Sequence, residues 1–202
     1  MSNMFGVPYI FNPGILTGRI PEDLFSKIRE IVHNPDAKKQ PRFSKNLVGS
    51  IREEYQTPEI PGFYEYIDEM YRFWVDTYKT PNVPYKLDTP WTNYMKRGEF
   101  NPNHSHPNAI AAYVIWITIP YNIEDEMTYN DYDNELTPCK NSCFEFTYSL
   151  FDGRIANYPI RVDKTHEGVI SMFPASLIHC VYPFFTSDKE RISIAGNVYF
   201  KQ

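Results

Sequence analysis

Residues 109–120, AIAAYVIWITIP, run for twelve positions without a charged side chain. A strand with one face in water alternates apolar and polar residues. A run that is apolar at odd and even positions alike must be covered on both faces. It is too short to cross a membrane as a helix, and the chain has no run of about 18 apolar residues. The protein therefore needs a sheet with a layer on each side, and enough apolar material to build both. With 202 residues, 42% of them hydrophobic, and with 14 Phe and 16 Tyr, one large core is within reach. Seventeen Pro beside so many Tyr favour strands and turns over a helical bundle.

Other segments fall into place around this strand. VPYIFNPG reads as a short strand ending in a turn at Asn12-Pro13-Gly14. Leu24, Ile28 and Ile31, with Phe25 and Val32 beside them, predict a helix in IPEDLFSKIREIVH; Glu22 and Asp23 suit the positive end of its dipole. NPDAKKQPRFSKN is expected to be an exposed loop and LVGSIREEY a strand. A second helix is expected from Pro61 to about Tyr78, with Phe63, Ile67, Met70, Tyr71 and Trp74 as its core face. From Tyr85 the period becomes that of strands: WTNYMKR, a turn at Gly98, the 109–120 run, then CFEFTYSLF, GVISMFP, HCVYPFF and RISIAGNVYF. Residues 121–142 are acidic and unpatterned and read as a solvated loop, with a substrate-binding lid as the sharper alternative. The whole predicts a mainly β fold, a β-sandwich or jelly roll with helical support on one outer face. One domain is expected over 1–202, with residues 1–84 packing on a jelly-roll core at 85–200.

Charge and cysteine content exclude several classes. A net charge of −5 leaves no basic footprint for nucleic acid. The start, MSNMFGVPYIFNPG, lacks the basic and apolar regions of a signal peptide. Cys139, Cys143 and Cys180 are odd in number, which suits reduced thiols in a cytoplasm. Cys139 and Cys143 have no second cysteine pair with which to hold a metal.

Two histidines, His104 and His106, precede the long strand in NPNHSHPN. Residues i and i+2 of an extended chain face the same way, so both imidazoles can meet one point. His179, in FPASLIHCVYPF, is a third candidate ligand. His33, ending a helix, reads as a dipole partner, and His166 as a solvated loop residue. In RISIAGN, Arg191, Ser193, Ala195 and Asn197 share one face, and Ile192 and Ile194 the other. A buried arginine is costly unless it meets an anion, either a carboxylate on a neighbouring strand or an acidic ligand held deep in the fold.

Taken together these motifs resemble the Fe(II)/2-oxoglutarate-dependent oxygenase superfamily, in its bacterial and phage branch. The resemblance spans roughly residues 46 to 200. It rests on Trp91 and Asn93, Gly98, His104-Ser105-His106-Pro107, the apolar run to Ile119, GVISMFP, His179, and Arg191 to Asn197. It implies a double-stranded β-helix, cupin-like, with Fe(II) at its open end, and His104 and His179 as two of the ligands. Most relatives carry Asp or Glu where this chain has His106, so the site either has three imidazoles or leaves a ligand position open. A three-imidazole site is expected to lose its metal between about pH 7 and 5, because a free imidazole has a pKa of about 6.5. Arg191 and Ser193 match the residues that bind the distal carboxylate of 2-oxoglutarate, and Asn93 could donate to the same cosubstrate. Tyr94 would take its place if the strand faced the other way. Ala112-Tyr113 and Trp116 stand where relatives carry Ser-Gly and Tyr, which leaves that strand without its usual polar contact.

The activity implied is hydroxylation of an unactivated C–H bond, with 2-oxoglutarate decarboxylated to succinate. The substrate could be a protein or peptide side chain. The acidic 121–142 segment could select a basic one. Two other readings are a three-His cupin-type dioxygenase without 2-oxoglutarate, and a non-catalytic metal-binding jelly roll.

Overall fold

The computed structural model describes residues 12–44, 47–129 and 139–201. In chain order its elements are β1 (Leu16–Arg19), α1 (Glu22–His33), β2 (Glu54–Gln56), α2 (Phe63–Tyr78), β3 (Tyr85–Leu87), β4 (Trp91–Met95) and β5 (Asn101–His104). They continue with β6 (Ala109–Thr118), α3 (Ile123–Thr128), β7 (Cys143–Ser149), β8 (Ile155–Arg161), β9 (Val169–Pro174), β10 (Ile178–Val181) and β11 (Arg191–Phe200). The larger sheet runs β1-β9-β6-β11-β4-β2, with β3 on the far end of β11, and the smaller runs β5-β10-β7-β8. Each strand pairing within them is antiparallel.

β6 occupies the centre of the larger sheet, as its double apolar pattern requires. Ala111, Tyr113, Ile115 and Ile117 face one way and pack with Leu24, Ile28 and Val32 of α1 and Ile67, Tyr71 and Trp74 of α2. Ala112, Val114 and Trp116 face the other way and meet Phe144, Phe146 and Phe173 between the sheets. Neighbouring β11 splits by the same parity: Ile192, Ile194 and Val198 join the helical core, while Arg191, Ser193 and Ala195 line the interior. The fold is thus a two-sheet jelly roll whose larger sheet is backed by α1 and α2.

Several local expectations change. The strand expected in VPYIFNP lies outside the described residues up to Asn12, whose Oδ1 accepts from the N–H groups of Gly14 and Ile15 in the expected turn. LVGSIREEY contributes only its last two residues, Glu54 and Tyr55, to a strand, β2. The 34–46 loop begins with a 3₁₀ turn over Pro35–Lys39 that buries Ala37. The acidic 121–142 segment is not simply a solvated loop, because it opens with α3 and buries Glu126 completely. β8, IANYPIR, is an unforeseen strand at the sheet edge. Its Pro159 and largely exposed residues argue against a strand, yet both are tolerated at an edge.

Gly196 stands opposite Tyr113 in the β11–β6 register. A Cβ there would fall inside contact distance of the Tyr113 phenol, which is buried against Phe63 of α2. Gly196→Ala is therefore expected to destabilise the protein by about 1–3 kcal/mol through overpacking. Urea unfolding measures it, and an unchanged midpoint would contradict this account of the β6–β11 contact.

Candidate functional site

The register of β5 against β10 sets His104 opposite His179. His106 follows where the chain leaves β5. Its backbone N–H donates to the Ala175 carbonyl at 2.7 Å, and its own carbonyl accepts from Ala109 N–H at 3.0 Å. The ring centroids lie 4.2 Å apart for His104 and His179, and 5.3 Å for each ring with His106. One nitrogen from each ring falls within 4.8 Å of the others, a set that could hold a metal ion.

Two of the rings are aimed by their own strands. Nδ1 of His104 lies 2.7 Å from the Pro102 carbonyl, and Nδ1 of His179 lies 2.9 Å from that of Leu177. A nitrogen against a carbonyl must carry the proton, which leaves Nε2 as a lone pair in both rings. Burial lowers all three pKa values. Desolvation, then the neighbouring imidazoles, push His179 down to about 3 and His106 to about 4. Desolvation also lowers His104, against the opposing pull of its bond to Pro102. Protons therefore compete for these nitrogens at lower pH than the sequence suggested. The window between about pH 7 and 5 expected from a free imidazole is corrected downward.

The imidazoles open onto a cavity that also reaches Asn93, Arg191 and Ser193. Asn93 faces inward and Tyr94 outward, where its hydroxyl donates to the Val32 carbonyl of α1 at 2.7 Å. Asn93 Nδ2 is 3.2 Å from Ser193 Oγ, while its Oδ1 is buried with no protein partner. Arg191 is 4% exposed, and among the described residues it makes no ion pair. The buried Glu145 is instead paired with Lys140 at 2.7 Å. Arg191 donates to Tyr121 Oη (3.3 Å), the Ser142 carbonyl (3.1 Å), the Tyr182 carbonyl (3.4 Å) and Met95 Sδ (2.8 Å).

Some contributors were not foreseen. Trp91 and Met95 share the inward face of Asn93 by simple alternation, a signal present in the sequence. Tyr121 and Ser142, at the two ends of the acidic segment, carried no such signal. The described first part of that segment, α3, is docked beside the socket. Glu126 of α3 accepts from the N–H groups of Phe185 (2.9 Å) and Thr186 (2.6 Å), and from the Thr186 hydroxyl. Asn197, expected on the inward face, is buried but lies outside the cavity lining and donates to Tyr199 Oη. His166 is not a free loop residue either. It sits in a 3₁₀ turn, bonded to Asp163 at 3.0 Å, with its ring 5.6 Å from Trp116. His33 does end a helix, its Nδ1 2.8 Å from the Arg29 carbonyl. The three cysteines are free, and no helix among the described residues is long and apolar enough to cross a membrane.

Residues 89–197 match the model of a family described as "Putative 2OG-Fe(II) oxygenase". No curated protein sequence matches the chain. Among solved structures, a Pseudomonas putida prolyl-4-hydroxylase is similar at TM-score 0.58 and 14% identity, covering 94% of each chain. A Trichoplax adhaerens prolyl hydroxylase, solved with a hypoxia inducible factor peptide fragment, is similar at TM-score 0.55 and 11% identity, covering 93% of this chain and 83% of that one. HygX from Streptomyces hygroscopicus, solved with nickel, 2-oxoglutarate and hygromycin B, is similar at TM-score 0.54 and 9% identity, with the same coverage. At these identities the likeness is one of fold, the double-stranded β-helix.

The depressed histidine pKa values have a consequence for stability. Such a group takes its proton only on unfolding, so the unfolded chain binds more protons below about pH 6.5. The stability it contributes is full above that pH and is lost as pH falls toward the folded values. Glu54, raised to about 7 by desolvation and then by Glu99, acts in the opposite sense. The informative quantity is thus the difference between the protein and its His179→Leu variant, both metal-free. Urea unfolding from about pH 7 to 5 is expected to show the parent losing stability faster, by up to about 1.4 kcal/mol per pH unit. Parallel profiles would refute the buried, neutral state of His179.

Proposed function

The chain belongs to the 2OG-Fe(II) oxygenase family, whose cofactor is Fe(II) and whose cosubstrate is 2-oxoglutarate, and on that premise we propose that it hydroxylates a C–H bond of a peptide or protein side chain. One observation carries this reading: three neutral imidazoles and an arginine that makes no ion pair among the described residues face the same cavity.

The residues present fit both groups. His104, His106 and His179 would hold the metal, each as a neutral donor at pH 7 because desolvation keeps protons off. Arg191 and Ser193 would take the distal carboxylate of the cosubstrate, the planar guanidinium suiting a two-point hydrogen bond. Asn93 Oδ1 has no partner as placed. With the amide turned over, Oδ1 would accept from Ser193 Oγ and Nδ2 would face the ligand. When bound, Fe(II) would supply the oxidative step, in which O2 is the oxidant: one of its oxygen atoms ends in succinate as 2-oxoglutarate loses CO2, and the other converts a substrate C–H to C–OH. The protein's part is to orient and to exclude water. Phe144, Phe173 and Val114 wall the cavity, with the Phe173 ring 4.9 Å and the Phe144 ring 5.6 Å from His179.

A three-His dioxygenase without 2-oxoglutarate, or a purely structural metal site, leaves the buried Arg191 unexplained, since neither needs an anion socket. A peptide substrate is supported by the fold shared with a prolyl hydroxylase solved with a peptide.

An anaerobic Fe(II) titration with 2-oxoglutarate tests the reading. A visible charge-transfer band is expected, and its absence would sink the proposal. His104→Ala and His179→Ala are expected to abolish the band and succinate formation. Arg191→Ala is expected to leave Fe(II) affinity nearly unchanged and to weaken 2-oxoglutarate binding about 10- to 150-fold, the equivalent of one charged hydrogen-bonded contact at about 1.5–3 kcal/mol. An unchanged 2-oxoglutarate affinity in that variant would remove Arg191 from the site. His106→Asp is expected to retain the band, because a carboxylate also serves iron.

A further inference from the structure

The wall around the imidazoles carries a different chemistry on its outer side. Ile51 turns inward to the cavity, while Ser50 and Arg52 turn outward; Met95 and Asn101 turn inward, while Lys96, Arg97 and Phe100 turn outward. With Arg42, the outward set lines an open groove of about 720 Å³. Its lining has four cations against two carboxylates, Glu53 and Glu99, an excess of two positive charges on a chain of net charge −5.

The carboxylates are already committed. Glu53 pairs with Lys38 and Lys96, and Glu99 accepts from the backbone N–H groups of Arg52 and Lys96. The guanidinium groups are less so. Arg42 donates to the Arg52 carbonyl at 2.9 Å and makes no ion pair among the described residues. The Arg52 side chain, 87% exposed, comes no nearer than 3.9 Å to Glu99. Arg97 meets Asp188, itself 95% exposed, at 3.8 Å, and lies over the Tyr129 ring at 5.9 Å, donating to its hydroxyl at 3.4 Å; neither contact neutralises it as a close carboxylate would. Exposed pairs at such distances contribute little and exchange readily for a better-placed carboxylate.

Beside this groove lies a cleft of about 220 Å³ that opens directly onto His104 and His106. Val48, Trp91, Pro107 and Tyr199 give it apolar surface, and Ser105 and Asn108 give it neutral hydrogen-bonding groups; among the described residues no Lys, Arg, Asp or Glu lines it. The two are adjacent along the chain: Gly49 lies between Val48 of the cleft and Ser50 of the groove, Asn101 of the cleft follows Phe100 of the groove, and Ser50 N–H donates to the Phe100 carbonyl at 2.9 Å.

We propose that the partner is a peptide segment whose reacting residue is uncharged and which carries acidic residues a few positions away, held by Arg52 and Arg97. The statement about the reacting residue rests on the oxygenase reading, whereas that about the groove does not. A nucleic acid suits the surface less well, because Glu53 and Glu99 stand among the cations and would oppose a continuous phosphate backbone.

The test uses the full chain loaded anaerobically with Fe(II) and 2-oxoglutarate. Its probes are fluorescein-labelled peptides of about twelve residues with a neutral Ala/Pro centre and four Glu, four Gln or four Lys at either end. Fluorescence anisotropy is expected to give the Glu peptide an advantage of about tenfold over the Gln peptide at low salt, with the Lys peptide weaker still and the advantage shrinking as salt rises. Arg52→Glu with Arg97→Glu is expected to invert the order while the charge-transfer band stays as in the parent. Equal binding of the three peptides, an order unchanged in the double variant, or tighter binding of an oligothymidylate of matched charge would each overturn the proposal. Failure of the oxygenase reading appears separately, as an absent band in samples that still prefer the Glu peptide.

Discussion

A guanidinium taken out of water, with no carboxylate beside it among the described residues, is the constraint around which this molecule is arranged. Burying an unpaired charge costs several kcal/mol even after relaxation. Arg191 is held by two carbonyls, a phenol, a thioether and, at 5.8 Å, the face of Phe184. These groups come from β4, from both ends of the acidic segment and from the stretch after β10, so the socket ties the two sheets and that segment together. Dipoles spread the charge but do not cancel it, and an anion remains the natural complement. Glu126, buried in the same segment, does not serve as that complement, because the N–H groups of Phe185 and Thr186 already surround it.

What was legible in the sequence follows from periodicity. α1, α2, β6 and the parity of β11 could be read because their side chains obey a 3.6- or 2-residue repeat, and Tyr94 against Asn93 was a binary choice that one hydrogen bond to Val32 decides. The histidine pair was legible as a motif, and the structure adds the register that sets His104 against His179. β8 was hidden because Pro159 and exposed side chains are features of a loop until a partner strand supplies the other edge. α3 was hidden because a buried glutamate breaks the pattern used to find helices. The depth of the imidazoles, and hence their depressed pKa values, could not be read from residue type, since desolvation depends on what the rest of the chain packs around them.

Parity also explains how one thin wall serves two environments. Successive residues of an extended chain point to opposite sides, so Ile51 and Met95 present apolar surface to the cavity while Arg52 and Lys96 present charge to water. Interior and exterior are thereby specified by separate residues of the same segments, and a substitution on one side leaves the other chemically intact.

His104 and His179 are each bound through Nδ1 to the carbonyl two residues earlier in the chain. Neither orientation depends on a distant partner or on an ion drawing the rings together. The pose of each ring is therefore carried by its own short segment, and no side chain of a neighbouring strand has to be kept for it.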